Sequence, residues 1–151
     1  MMSEEQDWRI DRLGLERYDA LLALWRRARL HSIRPEGRDS RCAMARQLAT
    51  GVQAIFGLLV EVRLVGAVVA THDSRKGWIN RLAVDQDFRR RGHAARLVHA
   101  AEDWLHAQHI EVVATLVVSG NDPSLALFRK LGYTELAGGI HYLSKRPSEK
   151  A

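Results

Sequence analysis

The chain has 151 residues, 46% of them hydrophobic, which suffices for one buried core and is short for two independent domains. Its apolar residues come in brief runs broken by charge, excluding a membrane helix of ~20 residues, and its one cysteine excludes an intrachain disulfide framework and most thiolate metal sites. Twenty-three basic residues against 18 acidic ones leave a formal charge of +5, which speaks to anion attraction and solubility rather than to fold.

The opening MMSEEQDW has neither the basic head nor the apolar stretch of a secretory signal, so a cytoplasmic protein is expected. Trp8 to Arg12 reads as a first strand. From Glu16 the period turns helical, with Tyr18, Leu21, Leu22, Trp25 and Ala28 on one face. Ile33-Arg34-Pro35-Glu36-Gly37 interrupts that helix, and a second short one over Ser40 to Leu48 follows; the loop between them is a candidate acceptor-binding element. Cys42 in this helix has no paired base and is expected as a buried thiol. Between Arg26 and Arg46 stand seven arginines against Glu36 and Asp39. No zinc-finger spacing, basic zipper or base-stacking strand motif accompanies them. A solvated basic surface or an anionic small ligand is therefore expected in preference to nucleic acid.

Ala54 to Val60 and Leu64 to Thr71 are rich in branched apolar residues and predict a central hairpin turning at Glu61-Val62-Arg63. Trp78 to Val84 predicts a third strand of this group. Ala94, Leu97, Val98, Ala101 and Leu105 then share one helical face. Val112 to Val118 is again strand-like, Ser124 to Leu131 a short helix ended by Gly132, and Tyr133 to Leu136 and Ile140 to Leu143 two final strands. The tail from Lys145 to Ala151 is polar and expected to fray. This order predicts one mixed α+β domain over residues 1–151, with helices flanking a sheet.

Two segments carry chemistry. The first, Asp87-Phe88-Arg89-Arg90-Arg91-Gly92-His93-Ala94, joins an apolar strand to an amphipathic helix. A helix start offers backbone N–H groups without intrahelical partners and a positive dipole end, worth a fraction of a kcal/mol to ~2 kcal/mol toward an anion. Gly92 removes a side chain where an anion approaches the backbone, and the arginines can add charge-assisted contacts. Neither a full G-x-G-x-x-G on a first crossover nor a P-loop is present. The second segment runs from Asn121 to Tyr133.

On these residues the chain resembles the GCN5-related N-acetyltransferase (GNAT) superfamily. Arg89, Gly92 and Ala94 match its Gln/Arg-x-x-Gly-x-Gly/Ala signature, and Asn121, Leu127, Gly132 and Tyr133 match its Asn-x-x-Ala…Gly-Phe/Tyr segment, with Ser124 in place of the alanine. The resemblance implies a predominantly antiparallel sheet whose strands near 78–84 and 112–118 run parallel and splay apart. It implies acetyl-CoA in that gap as cosubstrate, along Leu82, Ala83 and Val84, with its diphosphate at Arg89, Arg90, Arg91, Gly92, His93 and Ala94, and Asn121 and Phe128 on its flank. Many relatives carry a tyrosine at the position of Phe128 to protonate the leaving thiolate, and several a glutamate on the strand that here offers only Asn80. Asn80, Glu61 and Tyr142 are the candidate catalytic groups, with His72 and Asp73 as further candidates at strand ends. The implied reaction is direct attack by an unidentified amine; a noncatalytic acyl-CoA-binding or regulatory protein is the alternative. Monomer and homodimer both occur in the superfamily. No metal site is expected, since the seven histidines are dispersed and no H-E-x-x-H occurs.

Overall fold

A computed structural model describes residues 7–151. Five strands form one sheet in chain order: β1 (Trp8–Arg12), β2 (Gln53–Val60), β3 (Arg63–His72), β4 (Lys76–Val84) and β5 (Val112–Thr115). The first four are antiparallel neighbours, and β5 lies parallel to β4. Helices α1 (Tyr18–Arg27) and α2 (Arg41–Ala49) precede the β2–β3 hairpin; α3 (His93–Ala107) makes the crossover from β4 to β5, and α4 (Asp122–Lys130) follows β5.

The apolar runs of β2 and β3 exist because both sheet faces are covered. On one face Leu58, Val65, Val68 and Ile79 pack with Leu97, Val98, Ala101 and Leu105 of α3 and Phe128 of α4. On the other, Ile55, Leu59, Leu64 and Val69 pack with Leu21, Leu24 and Trp25 of α1 and Met44 of α2. The helix ends follow local chemistry. Ser40 caps α2 by accepting the Ala43 amide at 3.1 Å, and Asn121 caps α4 by accepting the Ser124 amide at 3.3 Å.

Two bidentate Asp–Arg pairs tie the α1–α2 layer to β4 and the residue after it. Arg27 donates from Nε and Nη2 to the two oxygens of Asp85, at 2.9 and 3.0 Å, and that bond is the first cause holding the Arg27 guanidinium above its usual range. Arg81 of β4 grips Asp39 in the α1–α2 connection, with Nη2 to Oδ2 at 2.9 Å, and its guanidinium lies 5.0 Å from the Trp25 ring centre.

Three expectations need correction. The strand predicted over Val112 to Val118 stops at Thr115. The segments Tyr133 to Leu136 and Ile140 to Leu143 are not strands: among the described residues no ladder pairs them, and Leu136, Ile140, Tyr142 and Leu143 are exposed. Their alternation is real but supplies no partner edge. Cys42 is exposed, its sulfur accepting from Arg46 at 3.2 Å, and not a buried thiol. The C-terminal residues meet the α1–α2 connection: Lys150 pairs with Glu36 at 3.0 Å and Arg38 donates to the Ala151 carbonyl at 2.7 Å. Gly37 permits this approach, because a Cβ there would stand 2.3 Å from the Lys150 carbonyl oxygen.

Leu24 is fully buried between α1 and the sheet. Leu24→Ala is expected to cost about 3 kcal/mol, read from the denaturant midpoint, whereas Val62→Ala at an exposed turn should change stability by less than about 0.5 kcal/mol.

Candidate functional site

Strand β4 is nine residues long and β5 four. They pair only from Lys76↔Val112 to Ile79↔Thr115, and the Thr115 hydroxyl seals the last rung by donating to the Ile79 carbonyl at 2.8 Å. Beyond this point β4 continues through Asn80, Arg81, Leu82, Ala83 and Val84 without a paired neighbour on that side among the described residues. A fork therefore opens between the strands.

The opening has a local cause. Opposite β4, Val69 pairs with Asn80 and Ala67 with Ala83, so Arg81 and Leu82 face Val68 alone. This is a β-bulge, and Arg81 takes a left-handed φ of 52° within it. A non-glycine residue there is disfavoured by roughly 1–2 kcal/mol; the Asp39 pair and the Trp25 ring hold it in place. Asp39 is anchored in turn: its Oδ2 accepts the Arg34 amide at 2.7 Å, and its carbonyl accepts the Tyr18 hydroxyl at 2.7 Å. Sequence reading passed over both Asp39 and Arg81 as site residues. The available signal was the adjacent pair Asn80-Arg81, which breaks the period-2 pattern of an otherwise apolar strand.

At the open end of the fork lies the turn into α3. Gly92 is the N-cap with φ 78°, and among the described residues no acceptor engages the amides of Arg91, Gly92, His93 or Ala94. Arg90 is also left-handed, at φ 64°. Arg89 and Arg91 diverge: Arg89 donates Nε to the Val84 carbonyl at 3.0 Å, and Arg91 stacks 5.3 Å from the Phe88 ring centre. Uncommitted backbone amides and the Arg96 guanidinium, whose Nη1 donates to the Arg91 carbonyl at 2.8 Å, stand together at the helix start, an arrangement that suits a phosphate. His93 is buried and its Nδ1 lies 3.1 Å from Arg96 Nη1. Burial first, then the Arg96 and Arg91 charges, hold its imidazole below the ordinary 6.5.

Other predicted residues separate into near and far. Leu82 and Val84 side chains join the α3 core and Ala83 the α1 core, which leaves their backbone as the fork's wall. Phe128 is buried against α3 with the Tyr133 ring 5.1 Å away, edge to face. The Tyr133 hydroxyl donates to Glu102 at 2.8 Å; burial and that carboxylate push its pKa far above the ordinary 10. Asn121 spends its side-chain oxygen on the α4 cap.

Asn80 and Tyr142 line the same groove. With Trp78, Leu116 and His141 they line an open groove of about 480 Å³, on the face opposite Ile79, which is buried against α3. Asn80 Nδ2 is 3.4 Å from Thr71 Oγ1. Glu61 is not brought to them: it forms the β2–β3 turn with φ 56°, its carbonyl accepting from Arg9 at 2.9 Å. Its neighbour Arg63 lies six residues along β3 from Val69, the partner of Asn80, about 20 Å at strand spacing. His72 turns its ring to Trp104, 5.6 Å away, and the Asp73 carboxylate accepts the Arg75 and Lys76 amides at 2.9 and 2.8 Å, contacts that lower its pKa. Among the described residues no group of three or more His, Cys, Asp or Glu gathers for a metal, and no helix is long and apolar enough to cross a membrane.

Two outcomes are expected. Because folded His93 yields its proton more readily than unfolded His93, the unfolded chain binds more protons below about 6.5, so stability falls as pH drops through that value. The melting temperature should therefore drop less between pH 7 and pH 5 in His93→Gln than in the parent. Asp39→Asn leaves Arg81 uncompensated and should cost about 3 kcal/mol; Asp39→Asn with Arg81→Gln should recover part of that loss, and full additivity in a double-mutant cycle would count against the pair.

Comparison with known proteins agrees with this geometry. The chain is 29% identical over 116 residues to an acetyltransferase of Pectobacterium atrosepticum, spanning 77% of this chain and 80% of that one. Its fold matches the aminoglycoside acetyltransferase AAC(6')-Iy, solved with a bisubstrate analogue, with a TM-score of 0.77 at 18% identity, over 93% of this chain and 99% of the other. It also matches the PaiA N-acetyltransferase of Thermoplasma acidophilum, solved with coenzyme A, with a TM-score of 0.72 at 14% identity, over 83% and 88% of the two chains. Residues 18–133 match the model of the acetyltransferase (GNAT) family, and the chain belongs to that family.

Proposed function

We propose that the protein transfers an acetyl group from acetyl-CoA to an amine by direct attack within a ternary complex. The observation that carries this reading is the fork: β4 and β5 part after Ile79 and Thr115, and uncommitted amides around Gly92 stand at its open end. The residues fit the cosubstrate. Unpaired backbone of 80–84 offers an edge for the amide-bearing pantetheine arm, as a strand edge does for a peptide, and the α3 start offers N–H groups and a positive dipole end to the diphosphate.

Chemistry then belongs at the closed end of the fork, beside Asn80. The amine nitrogen, uncharged, attacks the thioester carbonyl; the C–N bond forms, the tetrahedral oxyanion collapses, the C–S bond breaks and the thiolate leaves. A proton passes from the nitrogen, finally to the sulfur or to water. Most of the rate gain comes from holding both reactants in register, with backbone N–H groups at the bulge facing the developing oxyanion. In this reading Asn80 orients the amine or a water, and Tyr142, which lines the same groove, supplies a proton.

Phe128 and Tyr133 favour a second reading, a noncatalytic acyl-CoA-binding protein. Phe128 has no hydroxyl, and that of Tyr133 is committed to Glu102. Calorimetry with coenzyme A and acetyl-CoA, followed by thiol release across a panel of amines, separates the two. Binding with amine-dependent thiol release and acetylated product supports transfer; binding without either in every amine supports the second reading; no binding overturns both. Gly92→Ala should weaken coenzyme binding at least ten-fold. Gly132→Ala, equally left-handed at φ 93° but beyond α4, should lower stability and leave coenzyme affinity within two-fold. Tyr142→Phe should reduce kcat at least ten-fold with coenzyme affinity unchanged.

A further inference from the structure

Beside the Asn80 groove lies a second one, lined by Arg26, Arg34, Arg146 and Lys150 with Glu36 and Glu149. Lys150 and Glu36 neutralise each other at 3.0 Å. Three arginines then face the single carboxylate of Glu149. Arg34 is held in position, its Nη1 donating to the carbonyls of His31 and Ile33 at 2.8 and 2.9 Å, and Arg146 Nε donates to Ser144 Oγ at 3.4 Å. None of these is a carboxylate, and Arg26, Arg34 and Arg146 form no ion pair among the described residues.

The two grooves are joined twice. Residues 140–143 line the first and Arg146, Glu149 and Lys150 the second, so one stretch of chain contributes to both. Through the interior, Asp39 accepts the Arg34 amide and the guanidinium of Arg81, which follows Asn80 in sequence. Asp39 itself is buried and fully engaged, and no carboxylate lines the Asn80 groove. A polycationic acceptor would find no counter-charge there and would meet unneutralised arginines next door.

Resting on the acyl-transfer reading, we infer that the acceptor is a small amine with an anionic group, carboxylate or phosphate. The amine lies between Asn80 and Tyr142, and the anion is taken by Arg34 and Arg146. Planar guanidinium groups suit both anions, through paired N–H bonds. The charge that draws the acceptor in also discriminates against its neutral and cationic analogues.

The test titrates coenzyme A first, alone, then acetylated products in its presence. The probes are N-acetyl ω-amino acids with chains of two to six carbons, their terminal amides, the corresponding N-acetyl aminoalkyl phosphates, and N1-acetylspermidine. One chain length in an acidic series should bind at least ten-fold tighter than its amide, and added salt should weaken that preference. Arg34→Gln and Arg146→Gln should each cut it at least three-fold without changing coenzyme affinity. Whether the carboxylate or the phosphate series binds tighter identifies the anion. Equal affinity of acids and amides at every length, absence of binding by both included, overturns the inference, as do tighter binding of the spermidine product or a preference that survives both substitutions. Failure of coenzyme A to bind would overturn the acyl-transfer reading and this inference together; coenzyme binding without acid preference overturns this inference alone.

Discussion

The parting of β4 from β5 is the constraint on which the site depends. Two parallel strands in register satisfy each other's backbone along their length, and an unpaired edge is normally covered or blunted. Here the pairing ends after Ile79↔Thr115, and β4 runs on for five residues with one side open. The bulge at Arg81 and Leu82 redirects the strand, and the Asp39 pair holds the bulge from the α1–α2 layer. A slot between the last two strands of a sheet needs support from both faces, and it has it: α3 packs under Ile79 and α1 under Ala83.

Electrostatics divides the work between backbone and side chain. At the α3 start the anion-attracting groups are amides and the Arg96 guanidinium, while Arg89 turns back to a carbonyl and Arg91 lies over Phe88. A basic sequence around a glycine therefore does not translate into three guanidinium contacts. Two aspartates are consumed as structural anchors, Asp39 for Arg81 and Asp85 for Arg27. Three arginines that form no ion pair among the described residues, Arg26, Arg34 and Arg146, line one groove.

Much of the architecture was legible in residue order. The first strand, both early helices, the β2–β3 hairpin and α3 lie where periodicity places them, because each buries an apolar face whose spacing records its conformation. The turn at Gly92 was equally legible as a helix start open to an anion, and its left-handed φ of 78° is what the structure adds. The C-terminal alternation misled for a related reason: Tyr133 to Leu143 has the pattern of strands, but a strand also needs a partner edge, and pattern carries no information about that.

What the sequence by itself determined is the set of local conformations and the helix start that draws anions, because these follow from side-chain size, branching and charge over a few residues. Tertiary structure alone decided that Asn80 and Tyr142 line one groove, that Glu61 stands at the β2–β3 turn away from them, and that Asp39 reaches Arg81 over 42 positions of chain. Such meetings depend on strand register and on how far two strands stay paired. A one-residue change in register would turn each side chain to the other face, so no local pattern could have settled them.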